Sequence, residues 1–77
     1  MIIGVECTFQ IDGRILVRRI FLDGDWISVG QGRQWVDEKG QHVLIMLQNN
    51  QPMEIRLRPD TMTWELLPAG RQRQTLV

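Results

Sequence analysis

The stretch Ile3-Gly4-Val5-Glu6-Cys7-Thr8-Phe9-Gln10-Ile11-Asp12-Gly13-Arg14-Ile15-Leu16-Val17-Arg18-Arg19-Ile20 decides the fold class. Its first half alternates, with Ile3, Val5, Cys7, Phe9 and Ile11 on one side and Glu6, Thr8, Gln10 and Asp12 on the other. That is the period of a strand buried on one face. Asp12-Gly13 carries the dipeptide preferred for a two-residue type I′ hairpin turn. With that turn, Val5 stands opposite Ile20, Cys7 opposite Arg18 and Phe9 opposite Leu16, while Glu6 faces Arg19 on the outer side. The returning strand, Arg14 to Leu22, is apolar on both sides, as expected where a sheet curls and covers both its faces.

Outward from this hairpin, turn signals recur at Asp23-Gly24-Asp25, Asp37-Glu38-Lys39-Gly40, Gln48 to Pro52 and Arg58 to Met62. No long segment sustains helical spacing. The chain reads as all-β, a small antiparallel curled sheet or open barrel of five or six strands, SH3-like in plan. A five-residue loop from Gln48 to Pro52 sets Leu47 against Met53, Ile45 against Ile55 and Val43 against Leu57. A last loop from Pro59 to Met62 pairs Leu57 with Trp64, Ile55 with Leu66 and, outside, Arg56 with Glu65. Both loops turn Ile55 and Leu57 inward. Gly30-Gln31-Gly32 marks a bulge where the sheet turns a corner. Trp64 is expected in the core and Trp26 at one end of it; Trp35 reads either as inward, opposite Val43, or as exposed beside Arg33, where it would form a stacking or protein-contact surface.

The 77 residues suffice for one domain, with residues 1–67 read as a single β-barrel-like unit and residues 68–77 as a polar, flexible C-terminal tail. Zero net charge and 43% hydrophobic residues argue against intrinsic disorder. Large cofactor-binding folds need more chain. Cys7 is the only cysteine, which suits a reducing, cytoplasmic location. No apolar run approaches the roughly 20 residues that span a bilayer, and the first residues lack the pattern of a secretory signal, so no membrane association is expected.

The same inventory bounds the chemistry. One cysteine and one histidine fall short of the ligand set of a zinc site, so neither metal nor cofactor is expected. Cys7 reads as an inert core thiol and His42 as an exposed or capping residue. No catalytic base accompanies either, and the chain is expected not to be an enzyme. Arginine outnumbers lysine eight to one. Guanidinium forks recognise phosphate and stack on bases. The candidate binding residues are therefore Arg18, Arg19, Arg33, Trp35, Arg56 and Arg58, with Arg71 and Arg73 in the tail. The opposing reading pairs these arginines with Glu6, Glu65 and their neighbours.

The arrangement Gly13-Arg14, Val17, Ile20, Trp26, Arg33, Trp35, Met53-Glu54-Ile55 and Trp64-Glu65-Leu66 resembles a small bacterial domain of unknown function. That domain occurs near, or fused to, translesion DNA polymerases. The likeness covers residues 8 to 67 and implies an accessory binding role with a connection to DNA and no catalytic residue. The expectation is a non-enzymatic interaction module whose partner is nucleic acid or protein. The alternative is homo-oligomerisation, or addition to a partner's sheet, through the apolar first strand taken as an edge.

Overall fold

The structure, a computed structural model, describes residues 1–67. The tail from residue 68 onward, with Arg71 and Arg73, lies outside the described residues. Seven strands follow in chain order: β1 (Ile2–Phe9), β2 (Ile15–Leu22), β3 (Asp25–Ser28), β4 (Gly30–Asp37), β5 (Gly40–Met46), β6 (Pro52–Leu57) and β7 (Trp64–Leu67). They form one antiparallel sheet in the order β3-β2-β1-β7-β6-β5-β4, curled into a half-barrel. The fold is all-β as read, with seven strands in place of five or six. The extra strand comes from Val29, where one long run breaks into β3, paired with β2, and β4, paired with β5.

Alternation fills the concave side. Ile3, Ile15, Val17, Ile20, Val43, Ile45, Ile55, Leu57 and Trp64 form the core, with Cys7 and Leu66 among the side chains packed half-buried against it. Trp64 is thus placed as expected.

The first turn differs from the expectation. Gly13 has φ +90°, but Asp12 is not among the residues with positive φ, so a type I′ turn is excluded. Gln10 N–H donates to the Arg14 carbonyl at 2.8 Å and Gly13 N–H to the Gln10 carbonyl at 2.9 Å. This is a three-residue loop with glycine in the left-handed position, and the Asp12 carboxylate accepts the Arg14 N–H at 3.0 Å. Cys7 therefore faces Val17, and Phe9 faces Ile15. A bulge at Arg18 then restores the expected pairs Val5 with Ile20 and Glu6 with Arg19. Both Arg18 and Arg19 are exposed as a result, so the inward set passes from Ile15 and Val17 to Ile20 without burying a charge.

The type I′ turn belongs instead to Asp23-Gly24, with φ of 54° and 83° between the paired Leu22 and Asp25. The β5–β6 loop repeats the design of the first. Leu47 N–H donates to the Gln51 carbonyl, Asn50 takes the left-handed position with φ 64°, and Asn49 Oδ1 accepts the Gln51 N–H at 3.1 Å. Val43 consequently meets Ile55, and Ile45 meets Met53. The expected register was two residues away, and an even slip leaves every side chain on its expected face. The β6–β7 pairs, Leu57 with Trp64, Ile55 with Leu66 and Arg56 with Glu65, fall as read.

Two further expectations are corrected. β1 is an interior strand between β2 and β7, and the sheet's end strands are β3 and β4. Trp26 does not close the core; it lies on the outer face, 48% exposed, edge-on to Phe21 at 5.3 Å.

Candidate functional site

The two arms of the sheet meet where β2 passes β4, and no backbone ladder joins them there. Two glutamine side chains do so. Ile15 N–H donates to Gln34 Oε1 (2.9 Å) and Val17 N–H to Gln31 Oε1 (2.8 Å), while the Ile15 carbonyl accepts from Gln34 Nε2 (2.8 Å) and Gln31 Nε2 (2.7 Å). The side-chain amides supply the donors and acceptors that a neighbouring strand would, and half-buried peptide groups are left satisfied. The bulge between Gln31 and Gln34, placed by the sequence at the glycines, turns both glutamines to the concave side although they are three residues apart.

Above this seam runs a groove of about 400 Å³, walled by Arg14 and Leu16 from one side and Gly32 from the other, with Gln31 and Gln34 in its floor. Arg33 follows Gly32 in the chain, and exposed Arg18 lies two residues beyond Leu16.

The arginines divide into two groups. Arg19 Nε donates to Glu6 Oε1 at 2.6 Å, and its guanidinium lies 5.5 Å from the Trp26 ring. Arg56 donates from Nε (3.2 Å) and Nη2 (2.6 Å) to Glu65 Oε1, and Arg58 grips Asp60 with Nε (3.2 Å) and Nη2 (2.7 Å). These are the carboxylate pairings of the opposing reading. A larger groove of about 650 Å³ beside Lys39, Arg56 and Arg58 is correspondingly matched by Glu38 and Asp60. Arg14, Arg18 and Arg33 make no salt bridge among the described residues. Arg14 lines the groove at the seam, Arg33 stands in the chain between its lining residues Gly32 and Gln34, and Arg18 stands two residues beyond Leu16. Of the candidates named from sequence, the structure commits Arg19, Arg56 and Arg58 to carboxylates, leaves Arg18 and Arg33 without a salt bridge among the described residues on the strands that flank the groove, and adds Arg14, which lines it.

Trp35 is not inward opposite Val43. The bulge sets it opposite His42, on the outer face, where the two rings stack at 5.1 Å and 3°. His42 is 5% exposed, neither an exposed residue nor a simple cap. Its Nδ1 lies 2.6 Å from Glu54 Oε2 and its Nε2 2.9 Å from Asp37 Oδ1. Both carboxylates are within hydrogen-bond distance of the ring, and which nitrogen donates depends on the imidazole tautomer. Burial pushes the Cys7 thiol up, away from the thiolate that reactive cysteines need. Among the described residues no cluster of His, Cys, Asp and Glu could hold a metal ion, and no helix is long and apolar enough to cross a membrane.

The carboxylates of these pairs set an acid limit. The His42 hydrogen bond, then the Lys39 backbone N–H, hold Asp37 below its ordinary value; Arg56 does the same for Glu65, Arg19 for Glu6 and Arg58 for Asp60. A carboxylate whose folded value is depressed stabilises the fold above the unfolded value, near 4, and loses that contribution as pH falls through the folded one. The urea midpoint, followed by tryptophan fluorescence, is therefore expected to be insensitive to these groups from about pH 6 to 8 and to drop below about pH 4. Asp37→Asn should flatten part of that drop. A midpoint that rises on acidification contradicts the assignment.

No protein-family model, no curated protein and no solved structure matches the chain.

Proposed function

We propose that the domain is a non-enzymatic binding module whose β2–β4 seam receives an extended polyanion, a single strand of nucleic acid. The observation that carries this reading is the division of the arginines: among the described residues Arg14, Arg18 and Arg33 make no salt bridge, Arg14 lines the open groove, and Arg18 and Arg33 lie within two residues of its lining in the chain. Zero net charge is compatible with it because Glu6, Glu65 and Asp60 are paired with Arg19, Arg56 and Arg58, although Asp12 accepts the Arg14 backbone N–H and Arg18 also feels Glu6 at a distance. Three guanidiniums without a salt bridge, on or beside the two strands that flank the groove, suit successive phosphates, and the glutamine amides that line it are already engaged.

Fluorescence anisotropy with labelled oligo(dT), oligo(U) and a duplex, each of about 20 units, tests it. Three phosphate contacts on a single strand predict a salt slope near −2, a loss of roughly 20-fold in affinity between about 50 and 200 mM salt. Each of Arg14→Gln, Arg18→Gln and Arg33→Gln should reduce that slope by about 0.7, whereas Arg56→Gln should leave it unchanged. Absence of binding at about 50 mM salt rejects the reading.

A second reading has its own observation. β3 is an end strand beside the exposed Phe21 and Trp26, which suits self-association by strand addition. Light scattering up to about 1 mM protein decides it; a monomer throughout excludes self-association, since even millimolar affinity would show there.

A further inference from the structure

Two arginines of this domain lie against tryptophan rings, and the comparison between them is informative. Arg19 lies 5.5 Å from the Trp26 ring centroid and also binds Glu6, so its charge is both placed and cancelled. Arg33 lies 5.2 Å from the Trp35 ring centroid and has no carboxylate partner among the described residues. A ring attracts a guanidinium without neutralising it and leaves its N–H donors free for another acceptor. Trp35 is itself fixed. Its ring lies parallel to His42, which Glu54 and Asp37 hold from both ring nitrogens, so β4, β5 and β6 all contribute to one stack on the outer face that ends at Arg33.

We propose that Trp35, backed by His42, is a positioning platform that holds the Arg33 guanidinium in place for an incoming phosphate. The proposal rests on the reading of the seam as the polyanion site and adds how that site is organised. An unsupported arginine loses much rotamer freedom when it binds, whereas one already laid on a ring loses less. Trp35 touches no phosphate itself; it acts through Arg33.

The probe is labelled oligo(dT) of about 20 nucleotides at about 50 mM salt, read by anisotropy with the whole chain. Trp35→Leu is expected to weaken binding about three- to tenfold, and Trp35→Phe, which keeps a ring, to recover most of the loss. In an Arg33→Gln background, Trp35→Leu should have no further effect, because the group it positions is gone. Arg33→Lys keeps the charge and disturbs no buried residue, so it serves even where Trp35→Leu fails to fold. It should bind as weakly as Trp35→Leu with the salt slope unchanged. Oligo(dT) binding by the wild type, combined with equal losses from Trp35→Leu in both backgrounds or with full affinity in Arg33→Lys, overturns the platform and leaves the seam reading standing. No binding by the wild type overturns both.

Discussion

Gly40→Ala is expected to leave the chain unfolded. Gly40 follows the Glu38-Lys39 turn, pairs with Asp37 and has φ +137°, a conformation that L side chains rarely adopt. Space is the more severe constraint. A Cβ at this position would overlap the carbonyl oxygen of Leu57, with the Leu57 carbonyl carbon 3.1 Å away and Pro59 Cδ 3.2 Å away. Backbone cannot move aside as a side chain can, because the adjacent Gln41–Leu57 pair anchors the β5–β6 ladder. A combined clash and strain of more than about 4 kcal/mol matches the few kcal/mol that a core of this size supplies. Gly13→Ala is the control, since φ is +90° there but nothing lies within 4 Å of the added carbon. It should cost only about 1 kcal/mol. Circular dichroism and urea titration of the two variants separate the effects, and a cooperative transition for Gly40→Ala close to that of the wild type refutes the account.

Gly40 also shows why the strands were legible in the sequence and some turns were not. Alternation is a local property, and it identified Ile3, Val43, Ile45, Ile55, Leu57 and Trp64 as inward, where they are. Turn type depends on which pair of flanking residues closes the loop. Asp12-Gly13 and Asp23-Gly24 carry the same dipeptide, yet Gln10 and Arg14 close the first over three residues and Leu22 and Asp25 close the second over two. One signal for the difference was present. Two adjacent arginines, Arg18 and Arg19, interrupt a strand whose inward residues step by two as far as Val17 and then by three to Ile20, and consecutive outward charges mark a bulge. That bulge compensates the longer turn.

The candidate site was less legible because its parts meet only when the sheet curls. Arg56 with Glu65 and Arg19 with Glu6 followed directly from strand register, so their neutralisation could be read in advance. Arg14 and Gly32 line one groove only because β4 closes onto β2, a closure made by contacts such as Ile15 with Gln34, 19 residues apart, that alternation does not encode. Gln31 and Gln34 carry no pattern that distinguishes a seam amide from a surface one. The burial of His42 is hidden from the sequence for a related reason. It sits on the outer face, where a polar residue ordinarily meets water, but Trp35 covers it and Glu54 and Asp37 receive it.

That buried cluster yields the second large effect. His42→Ala removes the partner of Glu54, which is 7% exposed and has no other side-chain hydrogen bond among the described residues. A carboxylate left buried and unpaired costs about 3–5 kcal/mol, again comparable to the stability of the whole domain. His42→Ala is therefore expected to be mostly unfolded at neutral pH in the absence of denaturant. Glu54→Gln should be much milder, because an amide oxygen can still accept from the ring and no isolated negative charge remains; about 1–2 kcal/mol is expected. The double variant His42→Leu/Glu54→Leu discriminates between two causes. If the loss in His42→Ala arises from the stranded charge, replacing both groups with apolar side chains should restore a cooperative urea transition to within about 1–2 kcal/mol of the wild type. If it arises instead from lost packing beneath Trp35, the double variant will stay unfolded while Glu54→Leu alone remains folded. The first result makes the histidine the hydrogen-bond partner that the buried acid needs, and the second makes it a support for the ring.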